Sequence, residues 1–263
     1  MCLIICAHQY HSQFPLVISS NRDEFFSRPT QTAEFRKLAD GSVSVLAGKD
    51  LVQGGTWLGI SESGRFAAVT NVRGPKENTS ATKSRGFLTS DFLHSDIAAK
   101  DYLNELVPTL DLFQGFNLLL GDREALFYLN SQEREIQQLE PGIYGLSNGK
   151  LDSPWPKVEQ GKERLKCLLE PGKEVELDSL IDIMTDKKIA PDEELPSTGI
   201  PVELERLLSA SFICNTKRGY GTRCSTAIVI GDDGTVRFSE QNYHEDTTIA
   251  SRHFFEFSLR QST

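Results

Sequence analysis

Short apolar runs separated by turn residues recur towards both ends of the chain, and they predict strands. Cys2-Leu3-Ile4-Ile5-Cys6-Ala7 and Leu16-Val17-Ile18 predict a buried strand pair around the turn-forming Tyr10 to Gln13. Ser44 to Ala47 predicts another strand. Thr56 to Ile60 and Phe66 to Thr70 flank Glu62-Ser63-Gly64, the pattern of a hairpin. Asn117 to Leu120 and Ala125 to Leu129 repeat it around Gly121-Asp122-Arg123. Arg134 to Leu139, Gly142 to Ser147, Ala227 to Ile230 and Val236 to Ser239 complete the strands.

Helical periodicity fills the middle. Ile97, Leu103, Leu106 and Val107 form one stripe, with Asp96 as its N-cap and Pro108 as its end. Val158, Leu165, Leu168 and Leu169 form a second face, closed by Pro171-Gly172. Leu177, Leu180, Ile181 and Met184 fall at i, i+3, i+4 and i+7. All three stripes read as faces packed on a sheet. Ile189 to Pro201, with three prolines and an acidic run, reads as a loop without internal structure, either a lid or a surface excursion. There is no internal repeat. Helices lying between strand-rich ends predict α+β layers in a single domain over residues 1–263, not alternating βαβ units.

Composition narrows the function classes. The 263 residues carry 28 basic and 37 acidic side chains, a net charge of −9. An acidic chain has no basic field with which to displace counterions, which excludes broad nucleic-acid binding. The run Cys2 to Ala7 lacks a basic leader and is far shorter than the ~20 apolar residues of a spanning helix, so no stable membrane insertion is expected. Five cysteines, an odd number, do not form a disulfide framework, and a reduced, cytoplasmic setting is the expectation.

Cys2 is the most informative position. Once Met1 is removed, as is usual before a small residue, Cys2 carries a thiol and an α-amine together, with unperturbed pKa values of ~8.5 and ~7.7–8.0. That amine can take the thiol proton directly or through a water, so nucleophile and base come as one unit. The plain alternative is a buried strand residue. The returning strand ends in Ser19-Ser20-Asn21-Arg22-Asp23-Glu24, which would lie beside the N-terminus. There Asp23 could hold a protonated amine and Arg22 could favour thiolate; read alone, the same residues make a solvated turn. Trp57 either walls a pocket or packs in the core. Cys6 faces the same side as Cys2 and reads as a small core residue, and Cys167, Cys214 and Cys224 as ordinary thiols. Cys6, His8 and His11 lack a second cluster, so no metal is expected. Gly219-Tyr220-Gly221 lacks the third glycine of a dinucleotide fingerprint, because Cys224 stands there.

Met1-Cys2, Asn21-Arg22-Asp23-Glu24, Gly54-Gly55-Thr56-Trp57-Leu58-Gly59 and Thr70-Asn71-Val72-Arg73 resemble the NRDE family, also called the transport and Golgi organisation protein 2 family. Gly145-Leu146-Ser147-Asn148, and Gly221-Thr222-Arg223 before Ser225-Thr226, extend the resemblance over nearly the whole chain in order. That family is more distantly similar to the N-terminal nucleophile hydrolases, in the cysteine branch that holds penicillin V acylases and bile salt hydrolases. The resemblance implies a four-layer αββα sandwich of antiparallel sheets with Cys2 on a central strand. It implies that Asp23 contacts the nucleophile's amine, that Asn71 and Asn148 lie near the oxyanion site, and that Arg223 lies near the thiolate. One departure is plain: the acylases carry an arginine three residues before that aspartate, where this chain has Ser20, and Arg22 is adjacent instead.

Two function readings follow. In the first the protein is a cysteine-type amidohydrolase acting on C–N bonds other than peptide bonds. Cys2, Asp23, Asn71, Asn148 and Arg223 are catalytic; Arg22, Asn21 and Trp57 bind substrate; no cofactor is needed. The cleaved bond is a linear amide of a small acyl substrate, its acyl group held in an apolar pocket. Arginines near the site would make a local positive spot, suited to a small anionic ligand. In the second the protein binds or moves haem or a lipid or acyl-CoA-type ligand without turnover, with haem held by His8, His11 or a cysteine, since no Cys-x-x-Cys-His motif is present.

Overall fold

The computed structural model describes residues 2–37, 44–74, 78–79 and 81–260. In chain order the strands are β1 (Cys2–His8), β2 (Leu16–Phe25), β3 (Thr30–Lys37), β4 (Ser44–Asp50), β5 (Leu58–Ser61), β6 (Phe66–Asn71) and β7 (Phe116–Gly121). They continue with β8 (Leu126–Asn130), β9 (Ile136–Leu139), β10 (Gly142–Leu146), β11 (Cys214–Asn215), β12 (Tyr220–Ile230), β13 (Thr235–Tyr243) and β14 (Ile249–Ser258). The α-helices are α1 (Gly86–His94), α2 (Ala99–Leu106), α3 (Pro156–Leu168), α4 (Leu177–Ile183) and α5 (Val202–Leu207).

The strands form two antiparallel sheets. One has the order β10-β1-β2-β12-β13-β14, with β11 paired to β12, and the other runs β3 to β9 in sequence order. Three apolar cores separate four layers. Leu3, Ile5 and Ala7 of β1 meet Val158 and Leu165 of α3 and Leu180 of α4. Ile4 and Cys6, on the opposite face of β1, meet Leu58, Phe66 and Leu119 of the second sheet. Leu88 and Phe92 of α1 and Leu103 of α2 cover the far side of that sheet over Val45, Leu118 and Phe127. The architecture is the expected αββα sandwich. Because β1 is covered on both faces, all seven of its residues are buried and its sequence is a continuous apolar run.

Several element assignments change. The polar stretch after Ile18 is not a turn; it is the buried second half of β2. It stays extended because its side chains bond into the helix layer: Ser19 Oγ donates to Leu180 O at 2.6 Å, and Asn21 Nδ2 to Met184 O and Ser211 O at 2.8 Å. Strand β14 escapes an apolar search because its residues only alternate between exposed and half-buried. Helix α1 escapes because it opens on glycine and carries no side-chain cap. Helix α2 starts after Ala98, not Asp96, and Pro108 sits inside a 3-10 turn (Val107–Leu112), where its missing N–H costs no hydrogen bond. Within 189–201, residues Asp192–Glu194 form a 3-10 turn tied by Arg206 to Asp192 at 2.6 Å, and α5 follows directly.

Helix α3 lies unusually close to the first sheet. A Cβ at Gly161 would stand 2.7 Å from Ile5 Cγ1, a clash that only glycine avoids. This close approach holds the first turn of α3 over the N-terminal end of β1 and the C-terminal end of β10. Gly161→Val should therefore destabilise the protein by about 1–3 kcal/mol in denaturant titration, through overpacking, with far-UV circular dichroism unchanged below the transition. A stability equal to wild type would show that α3 has room to move.

Candidate active site

Strand alternation decides what faces what at the end of the first sheet. Cys2 pairs with Arg22, and Arg22 pairs with Cys224 on its other side. These three side chains form one row facing the second sheet. Asp23, the next residue, points to the helix side, where it is 1% exposed and its Oδ1 accepts from Thr222 Oγ1 at 2.7 Å. Thiol and carboxylate therefore flank the same strand end from opposite faces. Burial pushes the Cys2 thiol up, with the Asp23 charge adding, while the Arg22 charge and the Asp23 backbone N–H pull it down. Burial likewise pushes the Asp23 carboxyl up, against the charges of Lys157 and Arg73 and the Thr222 hydrogen bond.

The thiol opens into a cavity of about 100 Å³. Trp57 forms one wall, with the Arg22 guanidinium 4.3 Å from its ring centroid. The ring fits because Gly48 carries no Cβ, which would stand 2.2 Å from it. Three arginines, Arg22, Arg28 and Arg85, and the acids Glu24 and Asp50 line the cavity; Asp23 also borders it, with its carboxyl turned to the helix side. Arg28 Nε lies 2.5 Å and Arg22 Nη2 3.7 Å from Asp50 Oδ2. Asp50 and Glu24 thus offset part of the expected positive spot, and the cavity beside Cys2 is lined largely by polar side chains where an apolar acyl pocket was expected.

Arg223 does not join this group. A bulge in β12 between Thr222 and Cys224 leaves it unpaired with β2 and turns it aside. Its Nη1 donates to Phe25 O at 2.8 Å and Arg28 O at 3.0 Å, so it holds the turn after β2. The sequence reading missed Arg85, which lines the cavity and whose charge interacts with Cys2. The signal was an arginine at the start of α1, where an N-cap hydroxyl or carboxylate is favoured. Arg85 and Asn71 also line a neighbouring groove of about 750 Å³, bordered by Gln114, Gln132 and Ile200.

The three asparagines separate. Asn71 lines the cavity. Asn148, 1% exposed, stands behind it: its Nδ2 donates to Asn71 O at 2.8 Å, and its own carbonyl accepts from Arg73 N at 2.7 Å. Ser147 Oγ donates to Cys2 O at 3.0 Å, so the residues ending β10 brace both β1 and β6. Asn21 faces the helices and belongs to the core, not to the cavity.

Beneath Asp23 lies a buried ionic cluster with no counterpart in the sequence reading. Lys157, 3% exposed, donates from Nζ to Leu208 O at 2.9 Å. Burial brings it down to about 8, against the charge of Asp23. Arg73 Nη1 pairs with Glu205 Oε2 at 2.6 Å, and its guanidinium stacks on Trp155 at 4.6 Å. Lys157 shares the i, i+4, i+8 stripe of Gly161 and Leu165, and that spacing is the signal that would have placed it on the buried face. All five cysteines are free thiols; burial pushes Cys6 up to about 12, as fits a core residue. Among the described residues no His, Cys, Asp and Glu group could hold a metal, and no helix is long and apolar enough to cross a membrane.

Residues 1–245 match the sequence profile of the family described as Transport and Golgi organisation 2. The Transport and Golgi organization protein 2 homolog of Bos taurus is 36% identical over 240 residues, 87% of each chain. That of Homo sapiens is 33% identical over 259 residues, 94% of each. Among solved structures, a Caenorhabditis elegans ortholog of N-acylethanolamine-hydrolyzing acid amidase superposes with a TM-score of 0.52 at 11% identity, covering 87% of this chain and 92% of that one. An arginine-to-leucine variant of conjugated bile acid hydrolase from Clostridium perfringens gives 0.52 at 9% identity, over 100% and 99%. At these identities the likeness is one of fold, that of the N-terminal nucleophile hydrolases.

The placement of the two arginines can be tested on the thiol. Arg22→Gln should slow iodoacetamide labelling of Cys2 at pH 8 by about threefold or more, because a facing cation is lost. Arg223→Gln should leave that rate within about twofold of wild type, since its guanidinium serves backbone carbonyls. Peptide-resolved mass spectrometry separates Cys2 from the other thiols, and equal slowing by both variants would contradict the arrangement.

Proposed function

The chain belongs to the Transport and Golgi organisation 2 family, and on that premise we propose that it is an N-terminal nucleophile amidohydrolase. It cleaves a linear amide of a small substrate with Cys2, once removal of Met1, which lies outside the described residues, has freed the α-amine. The observation that carries the reading is the strand end itself: the thiol opens into a cavity on one face while the Asp23 carboxyl approaches from the other. An amine at residue 2 lies in the plane between them, within reach of both.

In this mechanism the α-amine takes the thiol proton and the thiolate attacks the amide carbonyl. Asn71, its backbone held by Asn148, offers its side-chain amide to the oxyanion that develops. Collapse passes the proton from the α-ammonium to the leaving amine and leaves a thioester. Water then attacks the thioester with the same amine as base, and the acid departs as the thiol is restored. Arg22 and Arg85 favour the thiolate by charge, and Trp57 walls the reacting bond. The polar cavity suits a compact polar group next to that bond, with the rest of the substrate in the adjoining groove. The carrier reading has less support, because the cavity walls are polar and His8, at 1% exposure, is buried away from them.

Intact-mass measurement of the native protein should show Met1 absent, and retention of Met1 would sink the proposal. Against a panel of N-acyl amides, Cys2→Ala should lower turnover by about a thousandfold or more. Activity should rise with pH through roughly 7–8 as the α-amine loses its proton and becomes a base, the thiol still being protonated there because burial raises it. A rate that is flat from pH 6 to 9 would contradict the amine's role.

A further inference from the structure

A carboxylate placed against an α-amine creates a problem for the mechanism above. Opposite charge favours the ammonium, and an ammonium is no base. Asp23 by itself would thus orient the amine and disable it. The buried cluster on the helix side contains the correction. Two cations, Lys157 and Arg73, both donate to the carbonyl of Leu208; Glu205 pairs with Arg73, and the buried Asp23 carboxyl lies within range of both cations' charge. Arg73 is committed to Glu205 at 2.6 Å and to the Trp155 ring. Lys157 is held by Leu208 O and by the close approach of α3 to the sheet, and its charge falls on Asp23.

We propose that Lys157 is a positioning residue whose ammonium offsets the Asp23 carboxylate, so that the α-amine of Cys2 remains a free base at neutral pH. The inference rests on the reading of Cys2 as the N-terminal nucleophile. A lysine fully inside a protein is costly unless its charge is used, and burial draws this one down to about 8 even with the charge of Asp23 opposing it. The charges that act on it from neighbouring elements are those of Asp23 on β2, Arg73 after β6 and Glu205 on α5, with Cys2 acting from the far face of β1, and Tyr220 on β12 lies against Asp23 in turn. A cavity of about 450 Å³ lies on the helix side, bordered by Lys157 together with Asp186, Lys188 and Glu194. The sign follows from charge: a cation near the amine and thiol lowers both pKa values, and removing it raises both.

The test is the pH profile of Cys2 labelling by iodoacetamide, read by peptide mass spectrometry on full-length protein. Lys157→Met should move the midpoint up by about one pH unit and slow labelling at pH 7 about tenfold. Lys157→Arg should keep the wild-type midpoint, and Asp23→Asn should move it down. Should the methionine variant fail to fold, Lys157→Gln keeps a donor for Leu208 O while removing the charge, and the same upward shift is expected. An unmoved midpoint in the neutral variant, with Met1 absent, overturns the role of Lys157 and leaves the amidohydrolase reading intact. Retention of Met1 in the wild-type protein overturns both.

Discussion

The antiparallel ladder joining β1, β2 and β12 sets the geometry on which the site depends. Side chains alternate faces along a strand, so a pairing of Cys2 with Arg22 sends thiol and guanidinium into the space between the sheets. The same pairing sends Asp23 to the helix side. A slip of one residue would exchange those faces and also drive Leu3 and Ile5 out of the core they share with α3 and α4. The hydrophobic packing of a whole layer therefore enforces the register of a few polar atoms. The placement of polar groups at the strand end draws its accuracy from apolar residues in the core.

The layered build also explains how the fold tolerates so much buried charge. Isolated ions in such a place would each cost several kcal/mol, and pairing them with hydrogen bonds is what makes the arrangement stable. Arg73 with Glu205, Lys157 with the Leu208 carbonyl, and Asp23 with Thr222 each meet that requirement. Their partners come from β2, β12, α3, α5 and the segment after β6, which only a closed sandwich brings together. On the other face, Glu24 and Asp50 offset much of the charge of the arginines around the thiol.

Much of this was legible in the residues. The buried strands β1, β6 and β7 and the helices α3 and α4 announced themselves through apolar runs and periodicity, because each buries a continuous face. Cys2, Asp23, Asn71 and Trp57 could be singled out by position and motif, and they do converge on one strand end. The polar half of β2 was harder. Ser19 and Asn21 look like turn residues until the helix-layer carbonyls that receive their hydrogen bonds are in place. Strand β14 and helix α1 were missed because neither carries a strong apolar signal.

What the sequence determined by itself is the class of fold and the residues gathered around Cys2, since both rest on short local patterns, each readable from its own stretch of chain. What only the tertiary structure decided is the cast of charges. The bulge after Thr222 turns Arg223 away from the thiol, and Arg85, 83 positions from Cys2 in the chain, stands at the cavity in its place. Lys157 becomes the counter-charge of Asp23 only once α3 has docked on the sheet. Electrostatic interactions depend on distance and burial, and neither quantity exists for residues far apart in sequence until the layers close.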